Sequence, residues 1–134
     1  MSKVTHDDVL DAALDYIANN TKHMTVCSTP QPDTWAKAKN TSLAMLAEVA
    51  MTSTAFTLGN STSTGGGRKV DIMAKSSVSV SAGGDAKFVC LLESSTSATK
   101  LYIVNECSTP IQSLTTGNKV NFPAWRIGIE DPTT

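Results

Sequence analysis

Charge is scarce in this chain of 134 residues: 17% of its side chains are charged, and 11 basic against 12 acidic groups leave a formal net charge of -1. Average domains carry about 25% charged residues, so the polar surface has to come from other side chains. So even a balance offers neither the basic footprint of a nucleic-acid partner nor an acidic tail. Aromatic residues make up only 5%, too few and too little interleaved with basic residues to build a stacking platform for single-stranded nucleic acid. The three cysteines, Cys27, Cys90 and Cys107, are odd in number and far apart in sequence. They lack the short paired spacing of a zinc knuckle or a redox motif and read as reduced, small core residues. His6 and His23 are the only histidines; neither sits at a metal-ligand spacing, and both read as isolated surface residues. No run approaches the ~20 apolar residues that cross a bilayer: Leu43 to Val49 is interrupted by Glu48 and followed by Thr52, Ser53 and Thr54. The start, Met1-Ser-Lys-Val-Thr-His-Asp-Asp, lacks the basic-then-apolar plan of a secretory signal. The expectation is a soluble protein made in the cytoplasm, without membrane or nucleic-acid partners.

Catalytic patterns are also missing. Gly65-Gly-Gly-Arg68-Lys69 shares its composition with a phosphate-binding loop but lacks the Gly-Lys-Ser/Thr spacing, and it runs into a strand where such a loop feeds a helix. It reads as a hairpin tip. Asp7, Asp8, Asp11 and Asp15 cluster at the start of a helix, where the dipole accounts for them without a catalytic carboxylate pair. No serine lies in a Gly-x-Ser-x-Gly elbow. The sequence therefore assigns no catalytic residue, no metal ligand and no cofactor.

Hydroxyl groups are abundant instead. Serine (15) and threonine (18) account for 33 residues, beside a hydrophobic fraction of 40%, a composition that suits pleated strands better than a coiled coil or a disordered chain. The length fits a single domain, 1–134. It divides into an N-terminal helix within 1–20 and a β-rich body over 21–134.

The helix is predicted from about residue 6 to about residue 19. Thr5 and Asp8 have a loose capping-box spacing, Val9, Leu10, Ala13, Leu14 and Ile17 form an apolar stripe, and Asn19-Asn20 supplies a left-handed stop. The period then changes to two. His23 to Ser28 reads as a strand, closed by a loop at Thr29-Pro30-Gln31-Pro32. Trp35 to Ala50 reads as a short helical turn followed by a strand, and Gly59 to Gly67 as a low-complexity loop. Five strands follow: Arg68 to Lys75, Val78 to Ala82, Asp85 to Glu93, Leu101 to Cys107, and Lys119 to Ile129 broken at Pro123. Gly83-Gly84 carries a two-residue hairpin signal, and Ser94 to Thr99 and Thr115 to Asn118 are longer turns. Short turns without intervening helices imply an antiparallel β-sandwich or small β-barrel behind one helix, a mainly β, α+β class. Val80, Phe88, Cys90, Leu101, Ile103, Trp125 and Ile127 are the expected core.

The order of motifs along the chain carries a resemblance. A leading Asp-Asp-Val-Leu-Asp-Ala-Ala-Leu-Asp-Tyr-Ile helix is followed by Thr-Val-Cys-Ser-Thr-Pro and by a glycine run ending Gly67-Arg68-Lys69-Val70. A central Val78-Ser-Val-Ser-Ala-Gly-Gly-Asp-Ala-Lys-Phe-Val-Cys comes next, and the chain closes on Gly117-Asn-Lys-Val-Asn-Phe-Pro-Ala-Trp-Arg-Ile-Gly-Ile-Glu-Asp-Pro132. This order, over nearly the whole chain, resembles a family of small virion proteins of tailed bacteriophages. The resemblance implies a non-enzymatic building block, foremost a capsid decoration or cement protein on the virion surface, with a neck or tail position as the alternative. Its partners would be the major capsid protein or other virion proteins. A free carbohydrate-binding or adhesive β-sandwich is the competing class. Open strand edges with few charges to block them imply a homo-oligomer, foremost a trimer. The candidate contact elements are the N-terminal helix, through Leu10, Leu14 and Ile17, and the following loop, through Pro30, Pro32 and Trp35.

Overall fold

The computed structural model describes residues 5–61, 66–93 and 100–131, without the side chains of 108–112. In chain order the elements are helix α1 (Asp7–Asn20), β1 (His23–Cys27), helix α2 (Trp35–Lys39), β2 (Met45–Ala50), a 3-10 turn (Ser53–Ala55), β3 (Phe56–Asn60), β4 (Arg68–Ile72), β5 (Lys75–Ser79), β6 (Gly84–Leu92), β7 (Leu101–Leu114), β8 (Lys119–Phe122) and β9 (Trp125–Ile129). The fold is mainly β, one N-terminal helix followed by antiparallel sheets. The sheets have the strand orders β2-β1-β6-β7, β3-β4-β9 and β5-β8. These elements gather into two compact units. One holds α1, the 3-10 turn, β3, β4 and β9; the other holds α2, β1, β2 and β5 to β8.

In the first unit, α1 packs on β3, β4 and the 3-10 turn. Its buried side is Leu10, Leu14 and Ala18, residues one helical turn apart and so stacked on one face. Val9 and Ala13 are exposed, which corrects the predicted stripe: a helix buries an arc centred on one row, and the row chosen here runs through Leu14. The caps also differ from expectation. Nδ1 of His6, not Thr5, accepts the Asp8 backbone N–H at 3.2 Å, satisfying one orphan donor of the first turn. At the other end no left-handed residue stops the helix; the Asn20 side-chain amide instead donates to the Tyr16 carbonyl at 2.8 Å.

Beneath α1, β3 and β4 form a hairpin from Phe56↔Ile72 to Asn60↔Arg68, and β4 pairs with β9 from Arg68↔Ile129 to Ile72↔Trp125. Gly59 and Asn60 thus belong to a strand, where the low-complexity composition predicted loop. Pairing of Phe56, Leu58 and Asn60 against β4 overrides the weak local propensity of glycine and asparagine. Ser61 N–H closes the hairpin onto the Gly67 carbonyl at 3.0 Å. Positions 62–65 of that loop, and the predicted turn over 94–99, lie outside the described residues. Gly67 has φ +107, and a Cβ there would overlap the Ile129 carbonyl oxygen. Only glycine lets the β4 entry approach β9 so closely. Trp125, Ile127 and Ile129 alternate with more exposed residues along β9, as the period-two pattern requires, yet they are half-buried. β9 is an edge strand of its sheet, which leaves one flank of these side chains uncovered.

In the second unit, β1 is one of the two inner strands of its sheet. It pairs with β2 from His23↔Ala50 and with β6 from His23↔Leu92, and β6 pairs in turn with β7. Val80, Phe88 and Cys90 are buried as expected, whereas Leu101 and Ile103 on the edge strand β7 are half-buried. Gly83-Gly84 is not a hairpin turn. β5 pairs with β8 and not with β6. The glycines serve close approach: a Cβ on Gly83 would lie 3.1 Å from the Leu114 carbonyl oxygen, and one on Gly84 3.3 Å from the Leu46 side chain. Two serines adopt left-handed backbone, Ser77 and Ser113, each with φ 56, and each lies where the pairing register shifts. The Ser77 N–H donates to Asn121 Oδ1 at 2.9 Å and the Ser113 N–H to Asp85 Oδ1 at 2.8 Å. A side-chain oxygen from the paired strand thus satisfies the donor that each bulge removes from its ladder.

Candidate functional site

The most varied chemistry in the described residues gathers where α2 covers one face of the four-stranded sheet. α2 starts at Thr34, whose hydroxyl accepts the Lys37 N–H at 3.3 Å, as N-cap threonines do. Ala36 and Ala38 favour helix, and Ala38 is buried against the sheet. Asn40 ends the helix with extended backbone. Its Oδ1 then accepts the Ser42 N–H at 2.9 Å, while its carbonyl accepts from Leu43 and Met45. This Asx turn leads the chain directly into β2.

Register fixes what lies beneath. Cys27 is opposite Phe88, Thr25 is opposite both Glu48 and Cys90, and His23 is opposite both Ala50 and Leu92. Directly paired residues share a face, so this face carries a histidine, a threonine, two thiols and a carboxylate among its apolar residues. Cys27, Ala38, Ala44, Met45, Phe88, Cys90 and Leu92 form its core, with Trp35, Leu101 and Val104 packed at the margin. Two long-range contacts pin α2 down. The Trp35 indole N–H donates to the Glu93 carbonyl, and the Lys39 ammonium pairs with Glu48, with side chains 20% and 35% exposed.

Nothing in the spacing of the cysteines signals that two of them meet. Cys27 and Cys90, 63 positions apart, have their sulfurs 3.9 Å from each other. Cys27 also contacts the Thr25 hydroxyl and the Ala38 carbonyl, each at 3.7 Å. Both are free thiols without solvent exposure. The hydrogen bond to Cys27 and then burial push the Cys90 thiol up; the same bond lowers Cys27. Cys107 is half-buried, and burial followed by the neighbouring Glu106 raises its thiol.

His23 is likewise not the isolated surface residue that its sequence surroundings imply. Burial, then the Lys39 ammonium, lowers its imidazole below the ordinary range, with Glu48 opposing. Its Nδ1 is buried and has no hydrogen-bond partner among the described residues. His6, by contrast, belongs to the helix cap and is exposed.

Along α2 and the turn that follows it lies a cleft of about 300 Å³ lined by Trp35, Ala36, Lys39, Asn40 and Thr41. Among the six contact candidates, Trp35 alone lines it. Pro32 is fully buried and Pro30 exposed. Leu10 and Leu14 are buried in the first unit and Ile17 is half-buried, so this row of α1 serves its own unit and leaves little surface for another molecule. Leu10, Leu14 and Ile17 belong to the first unit, and Pro30, Pro32 and Trp35 to the second. The acidic cluster of α1 also has a structural occupation: Asp11 receives Arg68 Nε at 2.7 Å and a second nitrogen at 3.0 Å, a two-point pairing of helix to β4. The glycine-flanked Arg68 is committed to that carboxylate and to the Asn60 side chain. No group of three or more metal-ligating side chains occurs among the described residues.

Fold and site thus define a mainly β, antiparallel chain with a helix-covered sheet and a small tryptophan-lined cleft. No protein-family model, no curated protein and no solved structure matches it.

Proposed function

We propose that this chain is a non-enzymatic structural component of a tailed-phage virion, a decoration or cement protein that binds the capsid surface as a homo-oligomer, foremost a trimer. The observation that carries this reading is the character of β7. It ends the four-stranded sheet, and Leu101-Tyr102-Ile103-Val104 form a half-exposed apolar run along it. Edge strands are ready pairing surfaces where charge or proline does not block them, and 101–104 carry neither, ahead of Glu106 and Pro110. The motif order set out above adds the virion setting. The least exposed ion pairs hold one element to another, Asp11 to Arg68 and Glu48 to Lys39, so attachment would rest on many small contacts. The partner is the major capsid protein, and the protein is made in the host cytoplasm before it joins the particle.

Light scattering of the purified chain and its co-sedimentation with undecorated heads test the reading. The expected result is a multimer that binds heads, with Ile103→Lys lowering both mass and binding. A monomer that ignores heads, necks and tails, together with absence of the chain from purified particles, refutes it.

A further inference from the structure

We propose that the Trp35 cleft is a binding subsite for one neutral sugar ring. The inference is independent of the virion reading. It starts from the rigidity of the tryptophan: the indole edge is fixed by its N–H bond to the Glu93 carbonyl, and the ring packs against the core under α2. An indole anchored through its N–H at the margin of a cleft is pre-organised, so little rotamer entropy is lost if a ligand stacks on it. The apolar C–H face of a pyranose suits such a surface.

The remaining lining sets the ligand class. Lys39 is the one charged residue of the cleft, and Glu48 neutralises its ammonium; neither an anion nor a cation finds an unmatched charge. Asn40 has its Oδ1 engaged by the Ser42 N–H, which leaves the two amide hydrogens as donors. Thr41 is exposed beside it and adds a hydroxyl able to donate or accept. An indole at the cleft margin, a carboxamide donor and a hydroxyl match a neutral polyhydroxylated ring. A volume of about 300 Å³ lies at the small end of ligand sites, enough for a single residue of a glycan. A longer chain would continue into solvent.

Nuclear magnetic resonance on the intact, isotopically labelled protein tests this with methyl glucoside, methyl galactoside and methyl N-acetylglucosaminide as probes at millimolar concentrations. At least one sugar is expected to shift the Trp35 indole and Asn40 side-chain signals saturably, leaving the Trp125 indole in place. Asn40→Asp keeps the oxygen that caps the turn and removes the donor. Its affinity should fall about three- to tenfold, the loss of one neutral hydrogen bond, with the rest of the spectrum unchanged. Trp35→Ala should abolish the response. The proposal is overturned if no sugar moves these signals, if Asn40→Asp binds as well as the parent, or if cyclohexanol produces the same shifts at the same concentration.

Discussion

Replacing Leu14 by alanine isolates the contribution of the helix row that the first unit buries. Leu14 has 0% exposure, and it lies between Leu10 and Ala18 on the side of α1 that faces β3 and β4. The substitution removes three carbons, worth about 0.8 kcal/mol each and ~2.4 kcal/mol together as lost transfer free energy. The cavity left behind adds to this, because the lining relaxes only in part, and brings the total to about 3–4 kcal/mol. Val9 provides the internal control. It is 63% exposed, so Val9→Ala removes no buried surface, and alanine's better helix propensity makes the change neutral or stabilising by about 0.5 kcal/mol. Urea denaturation followed by far-ultraviolet circular dichroism and tryptophan fluorescence measures both variants. For Leu14→Ala the midpoint should fall by roughly 1–3 M. A loss under about 1 kcal/mol at Leu14, or a larger loss at Val9 than at Leu14, would refute the assigned rotation of the helix.

Trp125, half-buried on the edge strand β9 with its Nε1 buried and unpartnered among the described residues, should cost about 2–3 kcal/mol on truncation to alanine, below the usual range for a fully buried aromatic. Trp125→Phe, which removes the unpaired donor, should stay within about 1 kcal/mol of the parent in the same denaturation assay. Gly67→Ala forces a side chain into the Ile129 carbonyl at a positive φ; it should lower the melting temperature, whereas Gly117→Ala, where φ is also positive but nothing lies nearby, should lower it less. His23 binds protons less readily folded than unfolded, since burial and Lys39 lower its imidazole. Its contribution is therefore intact above the unfolded value of ~6.5 and is lost as pH falls through the lower folded value. His23→Gln should flatten the loss of stability between neutral and mildly acidic pH, and an unchanged slope in urea titrations would contradict the assignment. Alkylation followed by mass spectrometry should modify Cys107 first and slowly, with Cys27 and Cys90 reacting only after denaturant is added. Labelling of Cys90 in the native protein ahead of Cys107 would show that the sheet face under α2 is open.

Much of the element order was legible in the sequence because it depends on local signals. The helix limits near 7 and 20 follow from where the apolar row begins and ends, and β1, the turn at Trp35, β6 and the break at Pro123 follow from period-two patterning and from the missing donor of proline. Pairing was not legible, because side-chain period says that a strand exists and not which strand lies beside it. Gly83-Gly84 shows the consequence: two glycines suit a tight turn and a close approach equally, and only the pairing of β5 with β8 selects the approach. β3 was hidden in a serine- and glycine-rich stretch because its strand character comes from β4. The same limit concealed the site. Cys27 meets Cys90, and Lys39 meets Glu48, through the β1–β6 and β1–β2 registers and through the cover that α2 places over them. The sequence by itself determined the N-terminal helix, the strands with clear period-two patterning and the break at Pro123, whereas β3 and the full length of β7 were decided by their partner strands. Which residues share a buried face, and hence which histidine, thiols and tryptophan stand together, was decided only when long-range hydrogen bonding set the registers.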